Sequence, residues 1–332
     1  MTDWQFPVLI SDVGGTNARF AVVPDAASPA IPLPAGTTEG YPSFEAAAKA
    51  ALAGTGVTPK SCVLCAAGPV KGASVKLTNA DWIIDGRQMA RALNLKQGLI
   101  LNDFEALALS IPSIRPDWVR EIGHVEKPVH GARLVHGPGT GLGTAALIAV
   151  DGKWLAIASE GSHSDFAAVY PDEKLVWPHV EPKLGRLTPE TLISGPGLRR
   201  LHRARLAATG RARPDIDDPE IVSRALANPG SDEGETVAMF WRLVARYAGD
   251  LALTFLATGG VFLAGGVLPR IAGSLNEAEF RRVFKNKAPY AEIVEQTPVS
   301  LLLKPDAVTQ GMADIARRPE LYAIDYAARA WS

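Results

Sequence analysis

Cysteine is nearly absent from this chain, which has only Cys62 and Cys65, and this excludes a fold built on disulfides. The two form a C-x-x-C within "SCVLCAAG", but the surrounding residues read as a strand, where positions three apart face opposite ways. A disulfide between them is not expected; buried, reduced thiols in a cytoplasmic protein are. An excess of either charge is also lacking. With 34 Lys+Arg against 35 Asp+Glu the formal net charge is -1, which gives no global attraction to nucleic acid or to an anionic membrane. The one basic cluster, "RRLHRARLAATGRAR" from Arg199 to Arg213, is followed almost at once by "DIDDPE", so a solvated helix face is expected there. The opening "MTDWQFPVLI" has neither the basic region nor the long apolar segment of a secretory signal. The uncharged run from Leu251 to Pro269 is interrupted by Gly259-Gly260 and Gly265-Gly266. It divides into a helix end, a turn, a short strand "VFLA" and another turn, and a membrane-spanning helix is the poorer reading. No G-x-x-x-x-G-K-[ST] occurs, which excludes a P-loop.

What is present is an ordinary globular composition, 47% hydrophobic and 21% charged over 332 residues, enough for two domains. "LISDVGGTNARFAVV", Leu9 to Val23, sets two apolar runs around Asp-Val-Gly-Gly-Thr-Asn, the pattern of a β-hairpin with a polar tip. Gly14 and Gly15 leave the tip's backbone N–H groups uncovered, so with the Thr16 hydroxyl it can serve as an anion cradle; equally, Gly-Gly can simply make the turn. "ARLVHGPGTGLGTAALIAV" repeats the plan around Gly139, which suggests two related α/β halves. Between them lie the strand "SCVLCAAGPV", the apolar run "GLILND", a helix from Phe104, and a crossover marked by Pro112 and Pro116. Farther on, Thr188 caps a helix that Pro189 opens, and "TVAMFWRLVARYAGDLALTFLA" carries apolar residues at helical spacing, as a core helix does.

Three glycine-rich turns in an α/β chain point to a nucleotide. "HGPGTGLGTA" approaches the dinucleotide fingerprint, but Thr144 stands where its third glycine belongs and a strand follows where a helix should, so that reading is the weaker one. Two hairpin tips gripping phosphates from two domains is the reading that remains. Asn102-Asp103 end a buried strand and start a helix, which puts a carboxylate at the sheet edge where ligands bind; helix capping is the structural alternative, and the two roles can coexist. Glu160 and His163 in "EGSHSDF" are either a metal pair by spacing or loop polars, and Glu190 sits in a helix's first turn, where the dipole favours a carboxylate in any case.

Taken in order, "DVGGTNARFAV", "LNDFEALALSIP", "GPGTGLGTA", "EGSHSDFA", "ETLISGPGL" and "GGVFLAGGVLPR" span nearly the whole chain, and the set resembles the bacterial ATP-dependent glucokinases, within the actin-like and hexokinase-like ATPases. The resemblance implies an α/β, two-domain actin-like/hexokinase-like (ribonuclease H-like) fold with a central cleft. The expected division is a small domain of 1–113 with 305–332 and a large domain of 114–304. It implies ATP-dependent phosphorylation of D-glucose at the 6-hydroxyl, with ATP and Mg²⁺ as cofactors and Asp103 as the general base. Asn102, Asp103, Glu160, His163 and Glu190 would bind the sugar. Asp12 would organise Mg²⁺ through water, and Ser11, Val13, Gly14, Gly15 and Thr16 would surround it at the phosphates. Gly139, Thr140 and Gly141 would hold phosphates from the second tip, and Gly265 and Gly266 would lie near adenine. The expected partners are glucose and ATP, and the expected assembly a homodimer. A kinase for another hexose or an amino sugar is the alternative within enzymes. A sugar-responsive regulator of the same fold is the alternative outside them, disfavoured because the first strand begins by Pro7 and leaves no room before it for a DNA-binding segment.

Overall fold

The computed structural model describes residues 4–78, 80–125, 130–212, 215–304 and 306–331. The chain's expected return at Pro305, and Arg213 at the end of the basic cluster, lie outside the described residues. The strands in chain order are β1 (Val8–Val13), β2 (Asn17–Val23), β3 (Ile31–Thr37), β4 (Ser61–Ala66), β5 (Val70–Lys71), β6 (Ser74–Lys76), β7 (Ile83–Asp85) and β8 (Gln97–Asn102). After them come β9 (Val119–Glu121), β10 (Arg133–Pro138), β11 (Leu142–Val150), β12 (Lys153–Ser159), β13 (Gly260–Leu263), β14 (Val299–Leu302) and β15 (Ala330–Trp331).

Two six-stranded sheets share one plan. The first has the order β15-β8-β4-β1-β2-β3 and the second, in the reverse sense, β12-β11-β10-β13-β14-β9. In the first, β1 pairs antiparallel with β2 and parallel with β4, and β4 pairs parallel with β8. In the second, β10 pairs parallel with β13 and β13 with β14, while the short Gly139–Gly141 connection permits only an antiparallel β10–β11 pair. An antiparallel edge strand closes each sheet, β15 on β8 and β9 on β14. The central strand β4, "SCVLCA", is buried along its whole length, as expected where helices cover both faces of a parallel sheet. Cys62 and Cys65 are buried and unbonded to each other.

Two compact units result. The first comprises Met1–Trp118, Leu147–Ile157 and Lys304–Ser332; the second, Val119–Ala146 and Ala158–Leu303. Leu147–Ile157 groups with the first because Trp154 accepts a backbone hydrogen bond from Ala323 (2.8 Å) and bridges Tyr322. In the first unit the helix Ala307–Arg317 lies against the helix Asp103–Ser110, so closely that a Cβ on Gly311 would stand 1.9 Å from the Ser110 hydroxyl. Trp331 lies across β8 and the helix Gly86–Leu93, where a Cβ on Gly98 or Gly86 would meet its ring at 2.1 or 2.5 Å.

In the second unit the long helix Asp232–Thr254 buries Phe240, Leu243, Val244, Tyr247, Ala248 and Leu251 in the core. It ends at Thr254 and β13 follows, so the uncharged run is divided as its glycines require; among the described residues no helix is long and apolar enough to cross a membrane. The basic cluster forms the helix Gly195–Ala208, which buries Leu198 and Leu201. Arg203 pairs with Asp215, Arg205 with Glu235 and Arg211 with Asp232, so part of its charge is met within the unit.

Candidate active site

In the first unit, strand register aligns Val13, Ala66 and Asn102 as one row at the carboxyl ends of β1, β4 and β8, with Asp12 and Cys65 in the row before it. Asn102 caps the helix Asp103–Ser110: its side-chain oxygen accepts from the N–H of Phe104 (3.0 Å) and Glu105 (3.3 Å), and Glu105 returns to the Asn102 N–H. Its amide also donates to the Gly68 carbonyl at 3.2 Å. The cap is thus made by Asn102, and Asp103, one residue on, keeps a partly exposed carboxylate that accepts the Phe104 N–H at 3.0 Å.

Burial pushes the Asp103 carboxyl up to about 6; Phe104 N–H opposes the shift, and the Asp12 charge adds to it. Asp12 itself is held at both oxygens. Arg19, its partner across the hairpin, donates to one at 3.0 Å, and the Cys65 thiol donates to the other at 3.4 Å. Sequence reasoning treats Cys65 only as a buried thiol; its link to Asp12 comes from β1–β4 register, which no local pattern records.

Each hairpin tip presents backbone donors, though fewer than its glycines suggest. The Gly14 N–H is used within the turn, on the Asn17 carbonyl at 2.8 Å, and Thr38 takes the carbonyls of Gly15 and Thr16. Among the described residues the N–H groups of Gly15 and Thr16 have no partner. At the second tip the Gly139 N–H is used on the Gly141 carbonyl (2.8 Å), and Gly195, at the start of its helix, donates to the Gly139 carbonyl (2.8 Å). Here too the next two N–H groups, of Thr140 and Gly141, have no partner among the described residues.

The third turn is pressed against the second tip: the Ala264 and Val267 N–H groups donate to the His136 and Pro138 carbonyls, and Gly265 adopts φ +85°, where a Cβ would stand 2.3 Å from the Pro138 carbonyl oxygen. Gly139 and Gly266 are different. Neither adopts a positive φ, and a Cβ on either would meet nothing within 4 Å, so neither turn conformation nor packing requires glycine there. Gly139–Gly141 and Gly265–Gly266 are thus brought together with the backbone at Gly139 and Gly266 left uncovered.

Glu160, His163 and Glu190 form a second group in the same unit. Glu190, in the first turn of the helix Pro189–Leu192, is buried and accepts from the Leu142 N–H at 3.1 Å. His163 Nε2 lies 3.7 Å from Glu160 and 3.9 Å from Glu190. The loop carrying Glu160 and His163 is anchored by Phe166, which packs on Trp177 and Tyr247 beneath the Arg246 guanidinium and receives the Trp177 indole N–H at its carbonyl. Two contacts here have no sequence signal. Lys183 Nζ donates to Glu190 at 2.7 Å, and a Cβ on Gly141 would stand 2.7 Å from Glu190 Oε2. Gly141 thus serves the Glu190 side as well as the tip. Among the described residues no three His, Cys, Asp or Glu side chains group as a metal site.

A glucokinase family model matches residues 9–319. A glucokinase of Mesorhizobium japonicum is 39% identical over 331 residues, covering 99% of this chain and 97% of the relative. The crystal structure of a glucokinase from an Antarctic psychrotroph superposes with a TM-score of 0.80 at 30% identity, over 96% of this chain and all of that one. A glucokinase from Balamuthia mandrillaris, solved in complex with glucose, shares the fold at a TM-score of 0.78 and 19% identity, over 94% of this chain and 93% of that one. The paired sheets are thus those of the actin-like/hexokinase-like fold. With the match running through both sheets and all three glycine-rich turns, this chain belongs to the glucokinase family.

Proposed function

We propose that the protein transfers the γ-phosphoryl group of ATP to the 6-hydroxyl of D-glucose, with Asp103 as the base. The observation that carries this reading is the Asp103 carboxyl, placed just past the carboxyl end of a parallel strand, free of the capping task that Asn102 performs, and shifted by burial to about 6. At neutral pH such a group is mostly ionised yet basic enough to accept a proton as the hydroxyl attacks. The sugar oxygen bonds to the γ-phosphorus, the bond to the β-phosphate oxygen breaks, ADP leaves, and the proton passes to Asp103 and then to solvent.

The remaining residues position and neutralise, which is most of what phosphoryl transfer demands. N–H groups of Gly15, Thr16, Thr140 and Gly141 donate to phosphate oxygens. Gly139 and Gly266 let the nucleotide lie against bare backbone. Asn102, Glu160, His163 and Glu190 hydrogen-bond the sugar. Asp12, whose carboxylate is held at both oxygens by Arg19 and Cys65, would hold Mg²⁺ through water, and the ion would supply neutralisation of phosphate charge. A coupled ADP-release assay across glucose, mannose and N-acetylated amino sugars tests the reading. Turnover is expected with glucose foremost; no turnover with any sugar refutes it.

A further inference from the structure

Lys183 reaches Glu190 from a tight two-residue hairpin. Lys183 and Arg186 exchange both backbone hydrogen bonds at 3.1 Å, and Leu184 and Gly185 between them hold left-handed conformations, φ 52° and 79°. Leu184 is 95% exposed, so no apolar packing holds the turn down. Ion pairs do: Arg186 donates through two nitrogens to Asp165, on the loop of Glu160 and His163, and Lys183 donates to Glu190 Oε1 at 2.7 Å. A buried carboxylate needs such a partner. With Lys183 on Oε1 and the Leu142 N–H on Oε2, the carboxylate is fixed with Oε2 turned toward His163.

We infer that Lys183 is a positioning and specificity-determining residue of the sugar site: it fixes the Glu190 carboxylate for a neutral hexose and cancels the charge that would otherwise draw in an aminohexose cation. The inference rests on Glu190 being a sugar ligand. Its action is through Glu190, so its loss should cost little once Glu190 is neutral.

The test is a double-mutant cycle of K183M and E190Q, with K183R and K183Q beside it, read as KM and kcat for glucose and as the glucosamine-to-glucose ratio of kcat/KM at pH 6.5, where the amine is protonated. K183M should raise the glucose KM roughly 10-fold, as for loss of one charged hydrogen bond at a part-exposed site, with kcat within about 2-fold. It should also raise the glucosamine ratio several-fold, as should K183Q, while K183R restores wild-type values. In the E190Q background K183M should change KM by less than about 2-fold, because contact residues couple. Unchanged KM and unchanged sugar ratio in K183M overturn the inference, as does an undiminished effect in the E190Q background. E190Q with wild-type glucose KM overturns instead the placement of Glu190 at the sugar. If K183M does not fold, the K183Q ratio decides in the same terms.

Discussion

Asp103→Asn tests the base apart from the cap, because it should lower turnover while raising stability. Asparagine keeps the oxygen that accepts the Phe104 N–H and leaves the Asn102 cap untouched, but cannot take a proton. The turnover number should fall roughly 10²- to 10⁴-fold, about 3–5 kcal/mol in the barrier, with glucose still bound. Stability should move the other way. Raising a carboxyl from 3.8 to about 6 costs on the order of 3 kcal/mol above pH 6, and partial exposure reduces this to roughly 1–2 kcal/mol. The sign follows from linkage: the folded chain binds this proton more tightly than the unfolded one, so the contribution is intact below pH 4 and is lost as pH rises through 6. Asparagine never ionises, so at pH 7.5 the variant should melt a few degrees higher than wild type, at about 2 °C per kcal/mol, and the gain should shrink by pH 5. In the wild type, kcat/KM for glucose should rise through pH 6 and then level. The assays are calorimetry at both pH values, glucose titration, and initial rates. A folded variant with wild-type kcat refutes the base; a midpoint at pH 7.5 no higher than that of the wild type refutes the burial shift.

Gly139→Val should leave the thermal midpoint and glucose KM nearly unchanged and raise the ATP KM at least roughly 10-fold, since a Cβ there meets nothing within 4 Å in the protein and would face the proposed phosphate position; an unchanged ATP KM rejects that placement. Gly141→Ala should raise the glucose KM through Glu190, whose oxygen lies 2.7 Å from the new carbon, and a change confined to ATP would contradict this. Gly311→Ala, with its Cβ 1.9 Å from the Ser110 hydroxyl, should cost about 1–3 kcal/mol and lower kcat by displacing the Asp103 helix; a neutral variant shows that the helices can part freely. Trp331→Ala should cost about 3–5 kcal/mol, seen in denaturant midpoints, with kcat nearly intact in the folded fraction; a loss below about 1 kcal/mol would mean that Trp331 does not hold the sheet edge.

What the sequence makes legible is local. The first hairpin, the division of the uncharged run by its glycines, the strand-to-helix step at Asn102-Asp103 and the Thr188 cap all arise from chemistry within a few residues, where composition and spacing act directly. The misses come from contacts that only the fold creates. Lys183 meets Glu190 because a left-handed turn redirects the chain, Cys65 meets Asp12 through parallel register, and Gly311 has its meaning in the approach of another helix to Ser110. The tips are an intermediate case. Their glycines mark a turn, but the Gly14 and Gly139 N–H groups are used inside it, and only the hydrogen-bond pattern tells which donors remain.

The composition of the first unit sets an order of events during synthesis. Its early strands emerge from the ribosome long before the helix Ala307–Arg317 and the strand Ala330–Trp331 that complete it, because most of the second unit is translated in between. At ordinary elongation rates that interval is on the order of ten to forty seconds. Throughout it the nascent chain carries β8 as an open edge and Ser110 without its covering helix, and an open edge recruits other strands. The half of the enzyme that begins first therefore finishes last, and its yield in the cell depends on what shields β8 while it waits.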